Sequence, residues 1–444
     1  MLPWVLTLGD CPLFAGHDSG TIFGPHWVRA KILTLALAPG GTPGGTGRMP
    51  VLPNSRPPPS ETPVPVPVKV IHTAAPLEPT SGVFSSVREM TQAMERHGLT
   101  NHVLMPAGVA ARPHLDSWLP VRAECHGKVI IPLLLWSPDF AREVLASDAE
   151  VLHTHSFWQH PSLVALAWKA KTGRPHVASV HGSLQPWAWR SKAWKKWPVW
   201  WMAERRNLQS ASLLHASSEE EAAALRARGL RVPIAVISHG VTFPIDQIAP
   251  PPKAIPRTAL ILGRLNPKKG IPLLLEAWAR IRPKQWVLHI AGPDQEGHLK
   301  QLKRQVQRLG LGGLVRFSGP LMDEAREQAF RECELLILPT YSENFGMVVA
   351  EALARRIPVI TTHGAPWQDL EKEACGWWVP VSVPALAAAL DAAAACSPES
   401  LAAMGVRGRA YVASRCDPDL IARQFIDCYQ WVLGKGPKPE CVVV

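Results

Sequence analysis

From residue 68 onward the chain alternates short apolar runs with longer amphipathic stretches. The runs at 68–72, 103–105, 129–134, 151–153, 177–180, 213–216 and 234–237 have the length and aliphatic content of buried strands. Between them, 83–97, 157–171 and 219–228 repeat apolar residues at the spacing of a helix face. A second series begins with a strand at 259–262 and continues with strands at 286–291, 314–317, 335–338 and 358–361. Its helices are predicted at 271–281, 297–309, 323–333, 346–355, 384–396 and 399–413, and a last helix at 419–433 follows Cys416-Asp417-Pro418. Alternation of this kind predicts an α/β protein with two open, doubly wound sheets. The proline-rich stretch 248–256 interrupts the rhythm and reads as a linker.

The first residues differ. Of the 44 prolines, 13 fall within the first 67 positions, beside glycine-rich 39–47. Such a segment cannot bury enough apolar surface to offset its chain entropy. The expected organisation is a Pro/Gly-rich disordered extension at 1–66, a first Rossmann-like domain at 67–247, a linker at 248–255, a second Rossmann-like domain at 256–415, and a helix with tail at 416–444. Met49 offers an alternative start, which N-terminal sequencing of the native protein checks.

With 47 basic and 36 acidic residues the net charge is +11, which favours anionic partners such as phosphates, acidic glycans or anionic lipid. The charge is dispersed and no nucleic-acid motif accompanies it, so nucleic acid is not an expected partner. The eight cysteines form no Cys-x-x-Cys pair, and a reducing cytosol is the expected setting. No run approaches the ~18 apolar residues of a membrane-spanning helix.

The chemistry concentrates where strands hand over to helices. The strand at 335–338 leads into Pro339-Thr340-Tyr341-Ser342-Glu343-Asn344-Phe345-Gly346-Met347-Val348-Val349-Ala350-Glu351. Glu343 lies on a loop at the strand's C-terminal end, and Glu351 lies more than a turn inside the next helix. In open α/β sheets ligands bind at that edge. The helix's first amides suit an anion and the carboxylates suit hydroxyls. Two glutamates eight apart near a helix start are also common for helix stability alone. The strand at 259–262 leads into Gly263-Arg264-Leu265-Asn266-Pro267-Lys268-Lys269-Gly270, where Arg264 and Lys269 can converge on a diphosphate. Basic loop residues are more often merely solvated; sharing a sheet edge with Glu343 favours the site. His289-Ile290-Ala291-Gly292-Pro293 and Phe317-Ser318-Gly319-Pro320 are further strand exits.

In order and spacing, Gly-Arg-x4-Lys-Gly, Ala-Gly-Pro, Phe-x-Gly and Pro-Thr-x-x-Glu-x-Phe-Gly-x4-Glu-Ala resemble the retaining GT-B glycosyltransferases of family four, the group 1 family, of bacterial type. The resemblance covers roughly residues 68–433. Gly82 sits where such enzymes carry a glycine loop, and His181 matches their active-site histidine. Leu214–Glu221 and Ile237–Val241 match further landmarks, while His239 replaces the usual Asn and Asn344 the usual Gly. The resemblance implies two Rossmann-like domains facing a cleft and a C-terminal helix crossing back to the first domain. It implies that Arg264 and Lys269 hold a donor diphosphate, that Glu343 meets the donor sugar and Glu351 the ribose. Amides of Asn344, Phe345, Gly346, Met347 and Val348 would contact sugar and phosphate, and His181 would orient the sugar. The implied reaction moves a sugar from a UDP- or GDP-linked donor to a hydroxyl of a glycan or lipid-linked acceptor with retention. Cell-surface polysaccharide or glycolipid synthesis is the expected setting, with no cofactor. A sugar-nucleotide epimerase and a non-catalytic nucleotide-sugar-binding protein are the alternatives.

His153 and His155 alternate near a strand end, yet no Asp or Cys joins them at ligand spacing and no Asp-x-Asp sugar-nucleotide metal motif stands beside them, so no metal is expected. Residues 186–201 hold six of the 18 tryptophans and four basic residues. Rings beside cations suit an anionic membrane interface at 187–201 or a glycan acceptor, and equally a helix packed on its own domain. The expected location is cytoplasmic, with peripheral contact at the inner face of the membrane.

Overall fold

The structure, a computed structural model, describes residues 68–75, 81–107, 112–190, 193–244 and 256–444. The expected extension at 1–66, the start at Met49 and the linker at 248–255 lie outside the described residues.

The first sheet contains β1 (Lys69–Thr73), β2 (Thr100–Ala107), β3 (Arg122–Lys128), β4 (Val151–Thr154), β5 (His176–Ser179), β6 (Leu213–Ala216) and β7 (Ile234–Val236). The second contains β8 (Arg257–Leu262), β9 (Trp286–Ala291), β10 (Val315–Ser318), β11 (Cys333–Leu338), β12 (Val359–Thr362) and β13 (Gly376–Val379). A terminal strand, β14 (Val442–Val443), joins the first sheet antiparallel to β7. The strand orders are β14-β7-β6-β5-β4-β1-β2-β3 and β10-β9-β8-β11-β12-β13. All other pairings are parallel, so crossover helices cover the faces and the central strands are buried. In both sheets the order reverses beside the first strand of the series, which opens a crevice at the strands' C-terminal ends. This is the two-sheet α/β architecture expected.

The final helix, Pro418–Val432, leaves the second domain and packs on helix Gly82–Arg96 of the first. Pro418 occupies its first turn, and the Asp417 carboxylate accepts from the Asp419 and Leu420 amides. Ile421, Phe425, Cys428 and Tyr429 then enter the first sheet's core. Phe425 and Tyr429 are fully buried, and each such ring contributes about 2–3 kcal/mol.

Residues 129–134 do not form the expected strand. Pro132–Leu134 is a single 3-10 turn with Leu133 83% exposed, and Ile130 and Ile131 are also exposed. The edge position belongs instead to β3, whose residues are polar and half-buried, because an edge strand has one neighbour and needs no apolar run. The helix expected from residue 157 starts at His160, since Trp158 adopts a positive φ of 70° and Pro161 fits only the first turn. Helix Pro138–Ala146, capped by Ser137, was not foreseen in the pattern.

The core of the first domain is unusually rich in histidine. His215 Nε2 donates to the Ile237 carbonyl (2.8 Å), which leaves Nδ1 to accept from Ser179 Oγ (2.7 Å). Ser179 Oγ then accepts from His153 Nε2 (2.8 Å), and His153 Nδ1 accepts from the Tyr429 hydroxyl (2.7 Å). One carbonyl thus fixes every donor direction across three strands to the returning helix. Burial pushes His72 and His215 down to about 4 and His176 to about 3, so these imidazoles are neutral. Unfolded, each titrates near 6.5. Between these values the unfolded chain binds more protons, so their stabilisation is complete above pH 7 and is lost as pH falls towards 4. At pH 5 each costs about 2 kcal/mol. Differential scanning calorimetry is expected to show a Tm that is flat between pH 7.5 and 8.5 and lower by roughly 10 °C or more at pH 5. A Tm unchanged down to pH 5 would contradict the buried neutral state.

Candidate active site

The site grows from two loops that the sheet order places side by side. After β8 the chain turns through 263–270. At Gly270 φ is 65°, and a side-chain carbon there would lie 1.9 Å from the Pro339 carbonyl oxygen, so only glycine lets this loop lie against the exit of β11. The Lys268 carbonyl accepts from the Tyr341 amide (2.9 Å) and the Thr340 hydroxyl (3.1 Å). This stitching seats Lys269 Nζ 2.6 Å from Glu343 Oε2. The Glu343 amide donates to the Gly364 carbonyl (2.6 Å), which fixes the backbone under the carboxylate. Gly346, at φ 84°, then opens helix Met347–Ala354.

A cavity of about 360 Å³ lies at this edge, between the second sheet's loops and the start of helix Gly82–Arg96. Arg264, Lys269, Glu343, Gly346, Met347, Val348 and Glu351 line it, and Gly82 closes it from the first domain. A side-chain carbon at Gly82 would come within 3.4 Å of Met347 Cγ. The first-turn amides of a helix lack intrahelical partners and carry the positive end of its dipole. The cavity therefore combines fixed cations, a helix start and two carboxylates, a set that fits a ligand with anionic and hydroxyl groups.

Charge on Glu343 is the result of a contest. Burial pushes its carboxyl up, but Lys269, Lys268 and Arg264 outweigh burial and hold it below its usual range. Lys268 is itself pushed down by burial. Glu351 is buried and ion-paired with Arg326.

The remaining residues expected here are placed differently. Asn344 and Phe345 are not in the cavity wall. Asn344 Nδ2 donates to Ser217 Oγ (3.0 Å) and its Oδ1 accepts from Gln185 (3.3 Å), tying the Glu343 loop to the first domain. Phe345 is buried edge-on against His239 and beside Trp367. His181 is also outside the wall, on the loop after β5 with φ 46°. Its neighbour Gly182 abuts Asn344, and the Gly182 amide donates to Glu221 Oε1 (2.5 Å). Glu221 Oε2 accepts from the amide and hydroxyl of Ser217 (2.8 and 2.9 Å). Glu221 thereby holds both the His181 loop and the Asn344 contact. His239, where Asn is usual, stacks on His181 with ring centroids 5.7 Å apart.

Arg88 and Arg326 line the cavity and were not legible as site residues. Both sit on amphipathic helices, where a basic residue reads as solvated surface until tertiary packing shows which way it faces. His72, His153 and His155 each offer a nitrogen within 4.8 Å of the others. All six ring nitrogens of this trio are hydrogen-bonded within the protein, to Asn101, Ser179, Tyr429, His181 or one another.

Two family models match the chain. Residues 80–243 match the model of Glycosyltransferase Family 4, and residues 246–411 match that of Glycosyl transferases group 1. The chain belongs to this family of GT-B glycosyltransferases. D-inositol 3-phosphate glycosyltransferase of Streptomyces scabiei is 32% identical over 181 residues, 36% of this chain and 40% of that protein. Mannosylfructose-phosphate synthase of Agrobacterium fabrum is 37% identical over 117 residues, 24% of this chain and 26% of that one. The chain thus spans less than half the length of these two relatives. Among solved structures, Anabaena HepE in complex with UDP and glucose superposes with a TM-score of 0.67 at 20% identity, covering 82% of this chain and all of that one. Sucrose-phosphate synthase of Thermosynechococcus elongatus gives 0.66 at 20% identity, covering 83% of this chain and 99% of that one. At that identity the structures speak for the fold.

Lys269→Met leaves Glu343 facing burial with weaker compensation, so its pKa rises. The variant is expected to lose about 1–3 kcal/mol at pH 8, and less at pH 5 where the carboxyl takes a proton. Lys269→Met/Glu343→Gln recovers most of the loss at pH 8. Urea denaturation at the two pH values reads both effects, and a pH-independent loss would count against the pair.

Proposed function

We propose that this protein transfers a glycosyl group from a nucleotide diphosphate sugar, UDP- or GDP-linked, to a hydroxyl acceptor with retention of configuration. The observation that carries this reading is the convergence of Arg264, Lys269 and the start of helix Met347–Ala354 with Glu343 and Glu351 on one cavity. Arg264, Lys269 and the helix amides bind the diphosphate and stabilise the charge it gains as it leaves, a task that metal ions perform in other transferases. Glu351 accepts from ribose hydroxyls once Arg326 yields, and ionised Glu343 accepts from donor-sugar hydroxyls. His181, presented by the first domain, orients the sugar. Domain closure excludes water, and the Asn344–Ser217 contact is one element of the closed state. The solved relative in complex with UDP-glucose supports a UDP-linked donor. The acceptor side is assigned to 67–247 and the donor side to 256–415.

The acceptor is a glycan or lipid-linked hydroxyl in cell-surface polysaccharide or glycolipid synthesis, reached by a cytoplasmic protein at the inner face of an anionic membrane. Among the described residues no helix is long and apolar enough to cross a membrane. The tryptophan segment is two-faced. Trp200 is buried and Trp189 packs inward, whereas Trp194 (75%), Trp197, Trp201 and Met202 (74%) are exposed. Lys195 lies over the Trp194 ring and Arg205 over the Trp201 ring, each at 5.1 Å. Exposed rings flanked by cations suit an anionic interface. Exposed Ile130, Ile131 and Leu133 add a second apolar tip on the same domain.

Incubation with UDP- and GDP-sugars is expected to release nucleoside diphosphate only when an acceptor is present; an isomerised donor would indicate an epimerase. Glu343→Ala lowers transfer by more than about 100-fold with nucleoside diphosphate affinity nearly unchanged. Glu351→Ala weakens that affinity by about tenfold, read by isothermal titration calorimetry. Full transfer by Glu343→Ala would refute the site. In flotation assays the protein binds vesicles containing anionic lipid, and Trp194→Ser/Trp201→Ser reduces partitioning by about tenfold or more. Absence of binding by the unaltered protein would retire the membrane contact.

A further inference from the structure

A second run of hydrogen-bonded histidines crosses the first sheet, and it ends at His181. It begins at Asn101 on β2, whose Nδ2 donates to the Glu95 carboxylate (2.9 Å). That bond turns Asn101 Oδ1 towards His72 Nε2, 3.1 Å away. An amide oxygen only accepts, so His72 Nε2 carries the proton. Burial keeps His72 neutral, at about 4, which leaves its Nδ1 as a lone pair. His72 Nδ1 lies 3.1 Å from His155 Nε2, so His155 donates there. Burial also drives His155 well below its ordinary value, so its Nδ1 accepts, and it does so from His181 Nε2 at 3.2 Å. His181 is pushed down to about 3 by burial. Its Nδ1 is therefore unprotonated, and it makes no hydrogen bond among the described residues. Each neutral imidazole passes on one donor direction, and the carboxylate of Glu95 sets that direction from the far side of the sheet.

We infer that Asn101, His72 and His155 are positioning residues that lock His181 in its Nε2–H tautomer, so that His181 meets the donor sugar only as a hydrogen-bond acceptor and selects a donor presenting a hydroxyl over one presenting a carboxylate. This rests on the reading above that His181 orients the donor sugar. A hydroxyl donates to Nδ1; a carboxylate sets a lone pair and a negative charge against it. A site built to pair with a hydroxyl rejects an analogue that cannot donate, because its own acceptor is left unpaired. The opposite tautomer would present an N–H and reverse the preference.

The test uses the full-length protein labelled with ¹⁵N-histidine, at pH 7.5 and without ligand, with His181→Gln identifying the His181 signals. Long-range ¹H–¹⁵N correlation is expected to show His181 neutral and protonated on Nε2. A His181 that is protonated on Nδ1, or on both nitrogens, overturns the inference with no variant required. His72→Asn places an amide oxygen near the lost Nδ1 and is expected to keep the tautomer. His72→Leu removes the acceptor and is expected to give a mixture. Affinities for UDP-glucose and UDP-glucuronate supply the second readout. The unaltered protein and His72→Asn favour UDP-glucose by about tenfold or more, whereas His72→Leu narrows the ratio to about threefold or less. An unchanged ratio in His72→Leu, with the tautomer shown to be mixed, overturns the selectivity. His181→Ala that binds UDP-glucose as tightly as the unaltered protein refutes the donor-orienting reading itself, while the tautomer result stands or falls separately.

Discussion

The second domain's active edge depends on keeping one carboxylate ionised where burial opposes it. Glu343 stays charged because Lys269, Lys268 and Arg264 surround it, and they converge because Gly270 lets the first loop lie directly against the exit of β11. Arg264 and Lys269 also line the cavity. Lys269 is engaged with Glu343. The ion pair leaves neither of these two charges alone.

The first domain solves a different problem. Its polar interior is dominated by neutral imidazoles and hydroxyls, many of them linked in hydrogen-bonded runs. One branch runs from the Ile237 carbonyl to Tyr429 and fastens the returning helix. The other runs from Asn101 to His181 and reaches the interface with the second domain. Neutral histidines suit this role, because each donates once and accepts once and can carry direction through a low-dielectric core without charge. Parts of the domain's outer surface have the opposite character, with exposed Trp194 and Trp201 beside cations and exposed Ile130 and Ile131 elsewhere.

Much of this was legible along the chain. Strands 213–216 and 286–291 and helix 271–281 end where their apolar periodicity ends, because buried parallel strands and amphipathic helices leave strong local signals. Polar edge strand β3 left none, and the apolar run 129–134 gave a false one, since apolarity alone does not distinguish a core strand from an exposed tip. At the site, Arg264, Lys269, Glu343 and Glu351 announced themselves by standing on loops and helix starts after strands. Arg88 and Arg326 did not, because their helices look like ordinary solvated faces. Asn344 was read through its backbone, whereas its side chain turned out to bridge the domains.

The sequence by itself determined the two α/β series, the order of their loops and the residue types that suit a phosphate and hydroxyl ligand. Those follow from local periodicity and from chemistry carried within a few residues. Only the tertiary structure decided which of seventeen histidines share a core, that Glu351 pairs with Arg326, that Lys269 is held against Glu343, and that the tryptophan segment faces both inward and outward. These depend on contacts between residues dozens to hundreds of positions apart, and parallel sheets create such contacts by stacking crossover units whose partners no local pattern names.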